Sequence, residues 1–254
     1  MKQSDLSALS AKSAVKNILF VCLGCGEAAP GPLWPTAFSK MNRLLCLLFF
    51  AVAPGLRAEL PTEPGPALIL GENDAAWQPL FAALAAKGTV CSAFTEQRWF
   101  PFRKTPVVLE GEMRFSPARG LSLRYVRPEE RLMIADAKGL LLRDARGRSR
   151  EVPADPRAPD INAALLPVLR FDRVELGKQF HLYAVRAGEE WRLDFVPRSV
   201  ELARTLGRIT VIGAGEAVRR LEFRRSATQR VEIVIGATQT GVTFTPDEER
   251  RFFR

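Results

Sequence analysis

The sequence predicts a mainly β protein of the α+β class, an unclosed antiparallel β-barrel of about eleven strands with two helices that cover one of its faces. From Thr89 onward, apolar and polar residues alternate with a period of two, in short runs that turn residues separate. Only two stretches have helical periodicity, too few to supply the crossovers of a parallel sheet. Since an antiparallel sheet packs one face and leaves the other in water, we expect the helices to cover the packed face.

The first predicted helix spans Asn73–Lys87, where apolar residues recur at i, i+3, i+4 and i+7. These residues are Trp77, Leu80, Phe81 and Leu84. Asn73 or Asp74 can cap its start and Gly88 can end it. Pro79 is tolerated only in the first turn, so the helix can begin later than Asn73.

The second predicted helix spans Asp160–Leu169, with Asp160 at its cap and three leucines on one face. Strands are predicted on both sides of it. Those before it are Val90–Trp99, Val107–Phe115, Leu121–Tyr125, Arg131–Ala135 and Gly139–Asp144. Those after it are Phe180–Val185, Trp191–Val196, Arg208–Gly213, Val218–Arg224, Arg230–Ile235 and Val242–Thr245.

Residues 41–58 have the order of a secretory signal peptide that starts at Met41. Arg43 supplies the positive charge, Leu44–Ala53 is an unbroken apolar run, and Ala58 offers a small residue for cleavage. The run is too short for a membrane-spanning helix, which needs roughly 20 residues. We therefore expect residues 59–254 to form a single exported domain, and residues 1–40 to be a disordered upstream extension without function.

Two alternatives for the start of the chain are weighed against this prediction. Leu44–Ala53 has the composition of a buried strand or helix, although Pro54 and Gly55 follow it directly. Leu23-Gly24-Cys25 faintly resembles a lipoprotein cleavage box after a short apolar run. Sequencing the amino terminus of the exported protein decides among them.

Charge and cysteine content say little in favour of nucleic acid binding or catalysis. The 254 residues carry 37 basic and 28 acidic side chains. Six of the basic and two of the acidic residues precede Glu59, so residues 59–254 have a net charge of +5. This part of the chain holds one cysteine, Cys91, and one histidine, His181. No nucleophile elbow or metal-ligand spacing occurs. We expect no enzyme activity, no metal, no cofactor and no nucleic acid partner.

Large apolar side chains crowd the first predicted strands, among them Phe94, Trp99 and Phe115. Core packing explains such a cluster, and so does a concave sheet that leaves a cavity for acyl chains. A buried acyl chain gains about 0.8 kcal/mol per CH₂, so even a partial cavity holds lipid firmly.

Several short phrases resemble the LolA-like outer-membrane lipoprotein carriers. They are Phe94-Thr95-Glu96-Gln97, Gly111-Glu112-Met113-Arg114-Phe115-Ser116-Pro117, Leu123-Arg124-Tyr125 with Pro128, and the turn at Ile134-Ala135-Asp136-Ala137-Lys138-Gly139. The resemblance runs from about Trp77 to Phe244. It implies a periplasmic protein with an unclosed barrel and a helical lid over a hydrophobic cavity.

One position departs from the family pattern. The carriers have an arginine that helps to control lid closure directly before the proline that matches Pro117, and here that position is Ser116. Arg114 and Arg119 are nearby but out of register. The chain therefore resembles a divergent branch of the family.

The resemblance implies a monomeric carrier that takes an acylated lipoprotein or lipid from an inner-membrane donor to an outer-membrane acceptor. The expected cavity residues are Trp99, Phe100, Met113, Phe115, Leu123, Tyr125, Phe180 and Trp191. The alternative is a periplasmic lipid- or lipoprotein-sensing regulatory module that binds a membrane protein by arginine-rich strand faces. Their arginines are Arg219, Arg220, Arg224 and Arg225. A third hypothesis is a periplasmic enzyme acting on a lipid.

Overall fold

Twelve strands form one antiparallel sheet in the computed structural model, which describes residues 60–61, 63–152 and 160–254. The first seven are β1 (Ala67–Leu68), β2 (Val90–Trp99), β3 (Val107–Ser116), β4 (Gly120–Arg127), β5 (Arg131–Asp136), β6 (Gly139–Asp144) and β7 (Ser149–Val152). The other five are β8 (Phe180–Ala187), β9 (Glu190–Pro197), β10 (Arg208–Ala214), β11 (Ala217–Arg224) and β12 (Arg230–Thr240). The sheet is not closed, which confirms the predicted fold class.

The sheet consists of two meanders joined by one long-range pairing. Strands β2 to β7 pair in chain order, and so do β8 to β12. Pairing of β12 with β2 joins the meanders, while β1 pairs with β8 at one edge and β7 forms the other. All of these pairings are antiparallel, as the short connections predict.

Within the described residues, five helices accompany the sheet, where the sequence predicted two. They are α1 (Gln78–Ala85), α2 (Ile161–Arg170), α3 (Arg173–Gln179), α4 (Val200–Leu206) and α5 (Pro246–Phe252). The second predicted helix is confirmed as α2, because the Asp160 carboxylate accepts hydrogen bonds from the N–H groups of Asn162 and Ala163 at 2.9 and 3.1 Å. The first begins later than Asn73, in agreement with a proline in its first turn.

The predicted strand Val242–Thr245 is wrong. Thr245 instead caps α5, since its hydroxyl accepts from the Glu248 N–H and the Glu248 carboxylate accepts from the Thr245 N–H at 2.9 Å. This reciprocal capping box sets the start of the helix. Glu248 therefore has a structural role at the start of α5.

One face of the sheet is concave and carries most of the core. On β2 the buried side chains alternate, with Ser92, Phe94, Glu96 and Arg98 on the inner face. On β4, Leu121, Leu123 and Tyr125 are buried on this same inner face, and Ser122 on the opposite face is buried as well. Helices α1 to α4 accompany this face, and α3 and α4 contact β8 and β9.

Helix α5 covers part of the other, outer face. Phe252 and Phe253 pack with Leu132, Ile134 and Leu141 of β5 and β6. The Arg254 guanidinium donates to both Asp136 carboxylate oxygens at 2.6 and 2.7 Å. The carboxyl-terminal segment is therefore fixed to the sheet by apolar packing and by an ion pair.

The predicted signal peptide, residues 41–58, and the upstream residues 1–40 lie outside the described residues. The described residues belong to one compact unit that runs from Glu59 to Arg254. None of the helices in the described part of the chain is long and apolar enough to cross a membrane.

Candidate functional site

A cavity of about 370 Å³ lies at one end of the inner face. Its helical side is formed by residues at the carboxyl-terminal ends of α1 and α2, and its sheet side by inner-face residues of β2, β3, β4, β11 and β12. The main apolar lining residues are Leu84, Val90, Met113, Phe115, Leu121, Val168, Phe171, Val218, Leu221 and Ile235. A concave apolar site of this volume lies near the lower end of the range for small-molecule pockets, about 300–1,000 Å³.

Two aromatic rings join the helices above the cavity. Phe81 of α1 and Phe171, the residue that ends α2, meet edge to face with their centroids 6.3 Å apart. Phe171 has φ +52° and is the one non-glycine residue with positive φ in the described chain. Such a conformation is uncommon for a bulky side chain and is found where surrounding packing imposes it. Here it directs an aromatic ring into the wall of the cavity.

A buried carboxylate ties α1 to α3. Asp74 lies in the turn before α1, where it pairs with Arg173 of α3 and accepts a hydrogen bond from the Gln78 amide at 3.1 Å. Burial raises the pKa of Asp74, but hydrogen bonds from Gln78, the Gly71 N–H and Arg173 outweigh it and hold the pKa below its ordinary value. Asp74 was expected to cap the helix; its carboxylate connects two helices of the lid instead.

Charged groups surround the mouth of the cavity. Lys87, which follows α1, lies 3.7 Å from Glu216 in the β10–β11 turn, and both line the opening. Arg170 at the end of α2 lines it as well. Exposed ion pairs contribute about 0–1 kcal/mol, so the Lys87–Glu216 contact does not hold the mouth shut.

Met113 and Phe115 are the two predicted cavity residues that line this cavity. Leu123 and Tyr125 share the inner face with them but lie farther along the sheet, because β4 runs away from the mouth after Leu121. We call the region lined by Met113, Phe115 and Leu121 the cavity end of the inner face.

The opposite part of the inner face, the polar end, is filled by Glu96, Arg98 and Tyr125. Glu96 and Arg98 are 0% and 1% exposed and form an ion pair. The Tyr125 hydroxyl donates to the Glu96 carboxylate at 2.8 Å, and an Arg98 guanidinium nitrogen lies 3.3 Å from the same hydroxyl. The Arg131 guanidinium lies over the Tyr125 ring at 4.8 Å.

The other four residues that were predicted to line the cavity lie elsewhere in the domain. Trp99 ends β2 on the outer side, with the Arg230 guanidinium 4.0 Å from its ring centre. Phe100 follows it and is buried. Phe180 packs edge to face on Phe195. Trp191 is buried against Gly213, where any side chain would overlap the indole ring.

Ser116, the predicted lid-control position, ends β3 and is buried. The two nearby arginines are directed to the outer face. The Arg114 guanidinium lies 3.7 Å from the centre of the Phe252 ring, and Arg119 pairs with Glu249 at 2.7 Å. Both therefore contact α5, on the side of the sheet away from the cavity.

Most of the arginines of the rival hypothesis are engaged by the protein itself. Arg220 pairs with Glu232 at 3.0 Å and Arg224 with Glu222 at 2.5 Å. The Arg225 guanidinium donates to the Arg204 carbonyl. Acidic neighbours therefore neutralise much of the basic surface that the sequence predicted on β11.

No group of three or more His, Cys, Asp or Glu side chains in the described ranges is arranged to hold a metal ion. His181 is exposed on β8, and Cys91 is half-buried on β2. Glu130, which follows Glu129 in the β4–β5 turn, forms an ion pair with Arg124 at 2.7 Å. The site with the clearest chemical character is the apolar cavity.

Sequence reasoning missed the helical wall and the β11–β12 wall of the cavity. Val218 and Ile235 belong to strands that the sequence predicts. The alternation of apolar and polar residues along these strands was the signal that could have placed both on the inner face. Val168 and Phe171 come from the end of α2. Their place depends on how α2 crosses the sheet, which no periodicity encodes.

The family model for "Outer membrane lipoprotein carrier protein LolA-like" matches residues 72–250. The chain belongs to this family. The match spans α1 through most of α5 and includes every strand that lines the cavity. No curated protein matches the chain.

Several solved structures resemble the chain at low sequence identity. The LolA superfamily protein NE2245 from Nitrosomonas europaea is 7% identical, with a TM-score of 0.38 over 68% of this chain and 96% of that one. MucB, in the complex structure of Pseudomonas aeruginosa MucA/MucB, is 15% identical, with a TM-score of 0.38 over 68% and 58%. A DUF1329 family protein from Desulfovibrio piger is 7% identical, with a TM-score of 0.37 over 66% and 94%. The family assignment rests on the family model alone.

Proposed function

We propose that this LolA-like protein is exported to the periplasm and carries an acylated lipoprotein or lipid toward the outer membrane. The observation that carries the proposal is the apolar cavity between the lid helices and the sheet. Membership of a family of lipoprotein carriers supports the same class of ligand. The donor in the inner membrane and the acceptor in the outer membrane are part of this proposal.

The cavity dimensions favour a ligand that inserts one acyl chain. About 370 Å³ is near the lower limit for a small-molecule site. Each buried CH₂ contributes about 0.8 kcal/mol, so a chain that is only partly inserted still binds. The mouth carries Lys87, Arg170 and Glu216, which leaves the polar part of the passenger in contact with charged side chains and water.

Val218→Trp tests the cavity directly, because Val218 is half-buried and lines it. A fluorescent fatty acid should bind to the parent protein, and the variant should lose at least about tenfold in affinity since the indole occupies the volume of the chain. Val234→Trp on β12, at a valine that is 42% exposed, is the matched control and should bind as the parent does.

Circular dichroism establishes that both variants fold before affinity is compared. Equal fatty acid affinity in the parent and in a folded Val218→Trp variant contradicts the cavity as the binding site. Native mass spectrometry of protein purified from the periplasm then identifies the passenger that remains bound.

A further inference from the structure

The loop between β2 and β3, residues 100–106, presents an aromatic side chain to water. We call this loop the hairpin tip. Phe102 is 81% exposed, and it is the one aromatic residue among the exposed large apolar side chains of the described chain. Its ring stacks on that of the buried Phe100, with centroids 5.4 Å apart and planes 24° apart.

Local structure imposes this exposure. The Arg103 N–H donates to the Phe100 carbonyl at 3.1 Å, which closes a turn around Phe102. Pro101 fixes one backbone dihedral within that turn, and Pro106 restricts the residue before it. The phenyl ring is therefore supported from below by Phe100 and directed away from the protein.

Two cations follow the exposed ring. Arg103 and Lys104 are both exposed, and neither forms an ion pair within the described residues. Residues 100–106 contain no acidic side chain. The hairpin tip thus combines one exposed aromatic ring with two unpaired positive charges.

We propose that the hairpin tip binds the surface of an anionic phospholipid bilayer. An aromatic ring enters the headgroup region of a bilayer favourably, and arginine and lysine beside it contact anionic headgroups. The tip is too small for a stable protein interface, which buries about 1,200–2,000 Å² in total. Its charge and its single inserted ring fit a lipid surface instead.

The hairpin tip and the mouth of the cavity lie at opposite ends of β2. Val90, at the first end, pairs with Phe115 and lines the cavity, whereas Arg98, near the other, pairs with Val107 beside the tip. Ten residues of strand extend about 33 Å. A bilayer bound at the tip therefore leaves the mouth open, and loss of membrane binding is distinguishable from loss of the cavity ligand.

Phe102→Trp gives a local test. In the full chain, its emission spectrum minus that of the parent protein reports the new indole. With vesicles of equal parts phosphatidylglycerol and phosphatidylcholine, this difference emission should shift to the blue and be quenched by brominated acyl chains. Vesicles of phosphatidylcholine alone should give a smaller change. An unshifted, unquenched difference emission overturns the proposal.

Cosedimentation with the same anionic vesicles tests the individual side chains. Phe102→Ala should weaken binding about tenfold. Arg103→Ala/Lys104→Ala should weaken it about 25-fold, at about fivefold per cation, and added salt should weaken the parent in the same direction.

Matched controls are Val174→Ala, at an exposed valine of α3, and Arg146→Ala/Arg150→Ala, at two exposed arginines. Both should sediment as the parent does, and every variant should bind the fluorescent fatty acid unchanged. If the tip variants sediment like these controls, the membrane is overturned as the occupant of the tip.

Discussion

The cavity end and the polar end of the inner face belong to the same curved sheet, yet one is hollow and the other is filled. At the cavity end, Met113, Phe115 and Leu121 stop short of the helices and leave about 370 Å³ between them. At the polar end, Glu96 and Arg98 project from the same face of β2 and are completely buried. Curvature of the sheet alone therefore does not create the cavity.

The difference also limits how far a ligand can enter. An acyl chain that extended to the polar end would meet the Glu96–Arg98 ion pair and the Tyr125 hydroxyl. Separating these groups would leave buried charges without partners, at a cost larger than the gain from a few more CH₂ groups. The polar cluster thus fills the inner face beyond the residues that line the cavity.

The largest expected effect comes from breaking the Glu96–Arg98 ion pair. Glu96→Ala should lower the free energy of unfolding by about 3–5 kcal/mol, because Arg98 would remain buried without its carboxylate. Urea denaturation followed by fluorescence measures the change. The double variant Glu96→Leu/Arg98→Met should recover much of the loss, since apolar residues of similar volume replace a buried ion pair at little cost. A loss below about 1 kcal/mol in Glu96→Ala would show that the pair is not desolvated as described.

The next effect is a difference between two core variants, one in a packed region and one beside the cavity. Phe195→Ala should cost about 3–5 kcal/mol, because Phe195 is 0% exposed and packs edge to face on Phe180. Phe115→Ala should cost less, about 1–2 kcal/mol, because part of its ring already borders empty space. Urea denaturation of both variants makes the comparison, and equal losses would mean that the cavity is closed in solution.

The smallest expected effect is a pH dependence of the lid over the cavity end. The pKa of Asp74 is held below its unfolded value by its hydrogen bonds, so its stabilisation is complete above the pKa of an unfolded aspartate, about 3.9. This stabilisation is lost as the pH falls through the pKa that Asp74 has in the folded protein. Between neutral pH and pH ~3, the parent should lose more unfolding free energy than Asp74→Asn, which cannot titrate. Identical losses in the two proteins would contradict the Asp74–Arg173 clamp.

Local patterns predicted those parts of the fold that local chemistry determines. Alternation located β2 to β6, and the Asp160 cap located the start of α2. Val242–Thr245 was mistaken for a strand because three of its four residues are β-branched, whereas the capping box formed by Thr245 and Glu248 decides the outcome. The sequence did contain a local signal for the start of a helix there, namely Thr245 followed three residues later by Glu248.

The site was less predictable than the fold, because it depends on contacts between distant elements. Met113 and Phe115 are two residues apart on β3, so their side chains project from the same face of the strand. Both line the cavity. Phe180 and Trp191 are equally large and apolar, but Phe180 packs on Phe195 of β9, and the Trp191 indole N–H donates to the Gly215 carbonyl in the β10–β11 turn. Glu96 and Arg98 lie two and four residues after Phe94, so their side chains project from the same face of β2. This spacing was a usable sign that charged side chains lie on the inner face of the sheet.

The sheet is complete only after β2 has paired with β12. Strands distant in sequence must close a long loop before their contacts stabilise anything, so such pairings form slowly. As the chain emerges during synthesis, each meander can form its own hairpins, but β2 keeps a free edge until β12 has appeared. Free strand edges are sites of aggregation, and a nascent chain of this protein therefore depends on protection until its last strand arrives.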